Sequence, residues 1–480
     1  MTTTTWLAPL LLAAYVAAMV AAARYATARR RAQSLTTYHA ADRRVGSVVG
    51  GLSIASTWVW APALFVSATQ AYTNGWVGVL WFTIPNAAAL LIMVPFAMKI
   101  RERYPDGFTL SGLMRRRYGR PVQRLYTLEL GGLAVLSMAV NLLAGGTVVS
   151  LLTGLPLAVT SVVLLAAVLA YTYRYGILGG LSTDVLQYAL IVGTLAAFVP
   201  SLLTVKGADV LTAGLNGINN VTGFFTGGGP EVAATFGIIS AIGLAAGPVG
   251  DQTFWQRAFS LREDRVGRAF LAAAAAFAVV PILMTTFGFV AAGEGKPVTD
   301  PGYVNLEVIE ATFPTWATLP FLFMVVSALL STVNSQMLAV ATLASDTTGD
   351  LSRQRLVMVG AGLLAVLVAN VPGNTVTAMF LVYSTLRSAA FLVTVGTLRG
   401  AAWNPQAVAW GIRVALAVGL PLTIYSNFIS GAWQDRLTAI LVTTFLPVVA
   451  AWAGSRRNPH PHDAEPTFRT EAEIAAAAGR

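Results

Sequence analysis

The amino-acid sequence predicts an all-α polytopic membrane protein with about thirteen transmembrane helices. Of its 480 residues, 56% are apolar and 11% are charged, whereas soluble domains have about 45–50% apolar and about 25% charged residues. A helix of about 20 apolar residues crosses a hydrocarbon core of about 30 Å, and thirteen stretches of the chain meet this requirement. Only short loops remain between them, which excludes a soluble domain of useful size.

The predicted helices follow each other closely along the chain. They span residues 5–23, 46–72, 76–98, 122–153, 156–173, 184–205, 232–258, 267–292, 317–346, 355–371, 374–398, 405–428 and 436–454. We divide the chain into an extra N-terminal transmembrane helix (1–24), two groups of five helices (46–205 and 232–398), two C-terminal helices (403–454) and a cytoplasmic tail (455–480). Because five is odd, the second group crosses the bilayer in the opposite sense to the first.

The positive charges predict the orientation in the membrane. Most of the 31 Lys and Arg residues lie in alternate loops, which include residues 257–268, whereas the opposite loops hold only Lys206, Lys296 and Arg436. Basic residues collect in cytoplasmic loops, so we expect the N-terminus outside, the C-terminus in the cytoplasm and the protein in the plasma membrane. The net charge of +10 then follows from orientation and indicates no nucleic-acid partner.

Several classes of chemistry are excluded by what the sequence lacks. It has no Cys, and its three His residues (His39, His460 and His462) fall outside the predicted helices, so an intramembrane centre with Cys or His ligands is not expected. It has no GxxxxGK[ST] phosphate loop. No paired carboxylates or nucleophile and base occur at one depth, so we predict that the protein is not an enzyme. Transport or sensing remains.

Two predicted helices contain residues that interrupt a helix. The second has Ser, Thr, two Trp and Pro62 within residues 50–62, and the seventh has Gly247, Pro248 and Gly250 just before an acidic residue. Proline removes a helix hydrogen bond, and backbone groups freed at membrane depth must face protein or a wet cavity. These helices come first in the two groups of five, and interruptions at corresponding positions of inverted halves indicate a central binding site. Simple kinks are the alternative.

The ninth predicted helix carries oxygen atoms on one face. Ala328, Ser331 and Thr332 stand at positions i, i+3 and i+4, so they share a side of the helix. A backbone carbonyl and two hydroxyl groups there form a surface of hard oxygen atoms that suits Na⁺. Hydroxyl groups in membrane helices also bond to their own backbone or to neighbouring helices, and that alternative stays open.

Three stretches of the sequence carry a recognisable pattern. They are Ala55–Leu64 (ASTWVWAPAL), Tyr175–Gln187 (YGILGGLSTDVLQ) and Ala328–Met337 (ALLSTVNSQM). Together they resemble the sodium:solute symporter family, over about residues 5–454. The resemblance implies the inverted five-plus-five fold of the amino-acid and sodium-symporter superfamily, with one helix before the repeats and two after.

The resemblance also implies a sodium site and a residue on the ion's exit path. The sodium ligands would be the backbone oxygens of Ala55 and Trp58, the carbonyl of Ala328 and the hydroxyls of Ser331 and Thr332. Asp184 matches an aspartate of the family that is linked to inward release of sodium. A carboxylate in the first turn of a helix, favoured by the helix dipole, is the alternative for Asp184.

The resemblance further implies that the substrate binds between the interrupted helices and the third and tenth helices of the core. The candidate side chains there are aromatic, amide or ionisable: Trp58, Trp60, Asn141, Asp251, Gln252, Trp255 and Arg387. Ionisable groups deep in a membrane are costly and therefore candidates for function. Arg387 lies 12 residues before Arg399, about 18 Å along a helix. Glu129 lies only five residues after Arg124 and is expected to be structural.

The sequence therefore predicts a sodium-coupled symporter that imports a small polar solute by alternating access. The runs around Trp58 and Asp251 resemble the urea and polyamine branch of the family, whereas the helix of Ser331 resembles the proline branch. Urea or a small amide or amine is the first expectation, and an amino acid or small carboxylate is the second. A symporter driven by protons, or a sensor that keeps the transporter fold, would also fit the sequence. The expected partners are the solute, sodium and the lipid bilayer, with no obligatory protein partner.

Overall fold

The computed structural model describes residues 3–28, 34–295 and 297–457. The predicted tail beyond residue 457, with His460 and His462, lies outside these residues, as does Lys296. Within them the chain forms helices and no strand. The fold class is therefore all-α, as predicted.

The α-helices are numbered in chain order. They are α1 (Thr3–Thr27), α2 (Leu35–Ala40), α3 (Ser47–Trp58), α4 (Ala61–Arg103), α5 (Leu110–Tyr118), α6 (Arg120–Thr153), α7 (Leu157–Lys206), α8 (Ala208–Ala213), α9 (Gly229–Val232), α10 (Ile238–Ala246), α11 (Gln252–Ser260), α12 (Val266–Glu294), α13 (Val304–Thr312), α14 (Thr318–Ala344), α15 (Leu351–Ala369), α16 (Val376–Leu386), α17 (Phe391–Arg399), α18 (Pro405–Ile424) and α19 (Trp433–Arg457).

Eleven stretches of helix in the described part of the chain are long and apolar enough to span a membrane. Two of them are too long for one crossing, because α4 has 43 residues and α7 has 50, whereas about 20 residues suffice. Each bends at a glycine with a positive φ, Gly75 at 60° and Gly176 at 57°. We interpret each as two crossings joined at the glycine, and the predicted number of thirteen stays a prediction.

Both predicted interruptions occur in the structure. The helix α3 ends at Trp58, and α4 begins two residues after Val59 with Pro62 in its first turn. The helix α10 ends at Ala246, and α11 begins at Gln252. A third interruption, which the sequence did not predict, is the turn of residues 387–390 between α16 and α17.

The helix α14 lies at the centre of the bundle, because 78% of its most apolar window is buried. The helix α1 lies at the periphery, with 17% of its window buried. The interrupted pair α3/α4 and the interrupted pair α10/α11 both contact α14 or its neighbours. The polar side chains described below therefore meet inside the bundle, away from the lipid-facing surface.

Candidate functional site

The interruption between α3 and α4 is held by a side chain from α6. The first helical amide of α4, that of Ala61, donates to Asn141 Oδ1 at 2.9 Å. Asn141 Nδ2 in turn donates to the carbonyl of Ser137 at 2.8 Å. Asn141, a predicted substrate residue, therefore satisfies an amide that a helix start leaves without a partner.

The second interruption is held by Asp251, at the start of α11. Its Oδ1 accepts from the amide of Thr253 at 2.8 Å and from the hydroxyl of the same residue at 2.7 Å. Its Oδ2 accepts from Gln336 Nε2 at 2.8 Å and from the hydroxyl of Tyr383 at 2.9 Å. Asp251 therefore joins α11 to α14 and α16, and four donors stabilise its negative charge.

Arg387, at the end of α16, is fully buried. Its Nε donates to the carbonyl of Gly243 at 2.6 Å, and its guanidinium lies 5.5 Å from the Trp58 ring and 4.9 Å from the Tyr383 ring. Its Nη1 and Nη2 have no hydrogen-bond partner among the described residues. A buried donor without a partner is costly, so the two Nη groups are the least satisfied donors of this guanidinium.

Gly247 packs closely against Trp58 and Arg387. A Cβ atom at Gly247 would lie 2.4 Å from the Trp58 ring and 3.0 Å from Arg387 Nη1. Any side chain at this position would therefore displace one of the two groups. The glycine before Pro248 thus lets Trp58 and Arg387 pack against the interruption of the helix.

Aromatic rings close the site on another side. Trp60 lies 5.6 Å from Phe380 and 5.3 Å from Tyr383, measured between ring centroids, and its Nε1 has no partner within the described part of the chain. Trp58 Nε1 donates to the backbone carbonyl of Asn86 at 3.1 Å, while the side-chain Oδ1 of Asn86 accepts no hydrogen bond from a described residue. Asn86 was not predicted, because a single amide inside an apolar helix gives no sequence pattern.

Two further predicted substrate residues use their polar atoms in hydrogen bonds to the backbone. Gln252 donates to the carbonyl of Phe108 at 2.9 Å and accepts from the amide of Leu110 at 3.1 Å. Both ends of its amide thus fix the segment that leads into α5, and its place beside the substrate stays a prediction. Trp255 donates to the carbonyl of Val249 at 2.8 Å and so stabilises the turn before its own helix.

The predicted sodium residues lie where α3 meets α14. Ser331 Oγ accepts from Ser56 at 2.8 Å. The hydroxyl of Thr332 donates to the carbonyls of Ala328 at 3.1 Å and Thr57 at 3.2 Å. The carbonyl of Ala55 accepts from the amide at residue 59 at 2.8 Å. The structure thus brings the end of α3 and the oxygen-bearing face of α14 together, and the sodium assignment itself stays a prediction.

Asp184 lies beside these residues and is fully buried. It accepts from Ser331 at 2.9 Å and from Ser53 at 2.5 Å. Arg257 Nη2 is 3.1 Å from its Oδ2 and also donates to Ser335 at 2.5 Å. The charge pattern placed Arg257 in a cytoplasmic loop; instead it lies inside the bundle, because α11 turns this side chain toward Asp184.

Interrupted helices around a closed polar site are the architecture of a secondary transporter. The protein is therefore a multi-pass membrane transporter of this class. The sequence model of the sodium:solute symporter family matches residues 38–371, and the chain belongs to that family. Its members carry a solute together with a coupling ion.

Curated relatives of the chain are named as urea transporters. The probable urea active transporter 1 of Schizosaccharomyces pombe is 24% identical over 339 residues, which are 65% of this chain and 51% of the relative. The urea-proton symporter DUR3 of Oryza sativa subsp. japonica is 23% identical over 338 residues, which are 64% of this chain and 47% of the relative. The matches thus span about half the length of these relatives.

Solved transporters share the fold. A Na⁺-coupled sialic acid symporter in a substrate-bound outward-open state has a TM-score of 0.74 at 15% identity, with 95% of this chain and 98% of that chain covered. Mhp1, a nucleobase-cation-symport-1 family transporter in a closed conformation, has a TM-score of 0.55 at 16% identity, with coverage of 91% and 97%. These likenesses confirm the predicted fold class.

Proposed function

We propose that this protein is a secondary active symporter of the plasma membrane that imports urea or another small amide together with sodium. The names of the curated relatives support urea as the solute. The observation that carries the proposal is the fully buried guanidinium of Arg387, with its two free Nη groups next to the rings of Trp58 and Tyr383.

The free groups at this site complement a small planar amide. The carbonyl oxygen of urea accepts two hydrogen bonds, and Arg387 Nη1 and Nη2 are two donors in one plane. The amide hydrogens need acceptors, and Asn86 Oδ1 is a buried acceptor without a partner. Trp60 supplies a flat apolar face. Arg387 and Asn86, which both contact Trp58, would thus supply the donors and an acceptor that a urea molecule requires.

An amine is a poorer candidate than an amide, although the sequence left both open. Asp251 is the carboxylate that an amine would need, and it already accepts four hydrogen bonds from Thr253, Gln336 and Tyr383. A small carboxylate is the second candidate solute, because Arg387 has no carboxylate partner among the described ion pairs. Its guanidinium would bind such an anion through two parallel hydrogen bonds.

Sodium would bind between α3 and α14, at the carbonyls of Ala55, Trp58 and Ala328 and the hydroxyls of Ser331 and Thr332. An ion held by oxygens from two helices favours the conformation in which those helices lie together, which is how an ion couples to a conformational change. Asp184 would line the path by which the ion leaves this site toward the cytoplasm. The rice relative is named a urea-proton symporter, which supports proton coupling as the alternative.

Uptake into proteoliposomes tests the proposal. We expect labelled urea to accumulate under an imposed sodium gradient and not under an imposed pH gradient alone. Unlabelled acetamide should compete with urea, whereas acetate should not. Accumulation driven only by the pH gradient would show that the coupling ion is a proton and not sodium. Competition by acetate but not by acetamide would show that the solute is a carboxylate and not an amide.

Arg387→Gln tests the site within the same assay. It removes the charged fork and should lower urea uptake by at least tenfold, because a missing charged hydrogen bond costs about 1.5–3 kcal/mol. Arg413→Gln is the matched control, since Arg413 is exposed on α18 and lies over the Trp410 ring. Equal uptake by the two variants would contradict the role of Arg387.

A further inference from the structure

Glu129, on α6, is a buried carboxylate that the proposed transport site does not use. Its side chain lies in the interior, with the residue 6% exposed. Its Oε1 accepts from the amide of Ala390 at 3.0 Å, at the start of α17. Its Oε2 is buried and accepts no hydrogen bond from any residue that the structure describes.

No cation compensates this carboxylate among the described ion pairs. The neighbouring titratable groups on its own helix are Arg124, which is exposed, and Tyr126, whose hydroxyl is 3.0 Å from that of Thr394 on α17. Arg387 lies three residues before Ala390 in the chain, but its Nε points to Gly243 on α10.

The charged and titratable groups of α4 and α5 that bond to this region lie toward the far end of α17. Arg103 of α4 donates to the carbonyl of Leu398 at 2.8 Å, and Arg117 of α5 donates to the carbonyl of Ala401 at 3.4 Å. Tyr118 of α5 bonds to the hydroxyl of Thr397 at 2.9 Å. Their bonding partners lie 7 to 11 residues after Ala390 in the chain, about two to three helical turns, and no described ion pair joins these groups to Glu129.

A carboxylate in this position has two reasons to take a proton. Burial disfavours the charged form, and no cation offsets that cost. Its Oε2 lacks a donor, and a proton on this oxygen removes the need for one. Oε1 meanwhile keeps the hydrogen bond from the amide of Ala390.

Glu129 and the proposed solute residue act on the same turn. Arg387 is the first residue of the turn between α16 and α17, and Ala390 is the last. Solute bound at the guanidinium of Arg387 holds one end of this turn, and Glu129 holds the other. Two ligands that favour the same arrangement of one element bind cooperatively.

We infer that Glu129 is a proton-binding site linked to solute binding through the turn of residues 387–390. The inference rests on the proposed function for the identity of the solute. In the described conformation both Arg387 and Glu129 are enclosed, so the binding of urea favours the enclosed form and takes up a proton. Apparent affinity for urea should then fall as pH rises, by up to about tenfold per pH unit once the carboxyl ionises in the free protein.

The test is calorimetric titration of the purified full-length protein with urea. At one pH, titrations in two buffers with different ionisation enthalpies give the number of protons bound per urea, and titrations between pH 5.5 and 8.5 give the affinity. We expect proton uptake approaching one per urea for the unmodified protein. Glu129→Gln keeps an oxygen for the Ala390 amide, so it should bind urea with no proton uptake and a flat pH dependence.

Glu263→Gln is the matched control, because Glu263 is exposed and its variant should keep the proton uptake. Glu129→Asp keeps a carboxyl group at this position, so this variant should also keep the proton uptake. Proton uptake unchanged in Glu129→Gln, no proton uptake by the unmodified protein, or loss of urea binding in a folded Glu129→Gln would each overturn the inference. If Glu129→Gln does not fold, the number of protons bound per urea by the unmodified protein and by Glu129→Asp tests the inference. A protein that binds no urea at any pH would instead refute the proposed function.

Discussion

Asp184 and Arg257 form an ion pair at 3.1 Å in which neither side chain has any exposed surface. The pair lies between the hydroxyls of Ser53, Ser331 and Ser335. A carboxylate from α7 and a guanidinium from α11 thus neutralise each other beside the residues proposed to bind sodium. Each of the two charges is therefore stabilised by the presence of the other.

Arg257→Gln should destabilise the protein strongly. Removing one member of a buried pair leaves an uncompensated charge, at a cost of about 3–5 kcal/mol. The double variant with Asp184→Asn should be more stable than Arg257→Gln alone, because it leaves no charge behind. Arg262→Gln, which breaks an exposed pair with Asp264, should cost no more than about 1 kcal/mol. Thermal unfolding in detergent measures the stability of all three variants. A double variant less stable than Arg257→Gln alone would contradict the explanation.

Ser331→Ala combined with Thr332→Ala should raise the sodium concentration for half-maximal urea uptake by at least tenfold. The two hydroxyls are proposed sodium ligands, and a loss of about 1.4 kcal/mol in sodium binding gives a tenfold weaker affinity. Thr443→Ala is the control, since Thr443 is a buried hydroxyl on α19 that donates to the carbonyl of Ala439. An unchanged sodium dependence in the double variant would show that the assignment of the sodium site is wrong.

His39, on α2, should make the protein less stable in acid. It bonds to Thr342 at 2.9 Å and Gln354 at 2.7 Å, and burial lowers the pKa of its imidazole from 6.5 to about 4. Between these two pH values the unfolded chain binds the proton and the folded protein does not. Stability therefore falls as pH drops from 6.5 toward 4, by about 1.4 kcal/mol per pH unit.

His39→Gln should remove this contribution. Thermal unfolding curves of the two proteins, measured from pH 7.5 to 4, should converge or cross as the pH falls. The other titrating groups are common to both proteins, so their effect cancels in the difference. Parallel curves over the whole range would mean that the imidazole binds its proton equally well in the folded protein.

Gly176→Ala should destabilise the bend in α7. The residue has φ 57° and ψ −152°, a conformation that costs other residues about 1–3 kcal/mol. An added Cβ would also lie 2.7 Å from the Tyr38 carbonyl. Gly193→Ala, on the same helix with open space around it, should be neutral or stabilise by up to about 1 kcal/mol. Comparison of their melting temperatures tests the bend, and equal values would argue against it.

The sequence predicted the features that depend on local pattern. Pro62 and the Gly247–Gly250 run interrupt a helix wherever they occur, and the spacing of Ser331 and Thr332 places them on one face regardless of the neighbours. The fold class followed from the length of the apolar stretches. These features need no knowledge of which helices touch.

The residues that were missed or misplaced depend on contacts between distant helices. Arg257 looks like one more basic residue until Asp184 is found opposite it, 73 residues away in the chain. Glu129 and Asn86 each have one buried side-chain oxygen without a hydrogen-bond donor among the described residues. Such an atom is identified only from the three-dimensional structure. Gln252 stands next to Asp251 in the chain, yet a rotation of one residue around α11 directs it toward Leu110.

The two unpartnered Nη groups of Arg387 also have a consequence for leakage of the coupling ion across the membrane. In the proposed function, a loaded carrier would close with both Nη groups bonded to the solute, whereas an empty carrier would bury them without partners. We therefore expect closure without solute to be slow. Slow closure of the empty carrier would limit the loss of the ion gradient, because the ion would cross the membrane only together with solute.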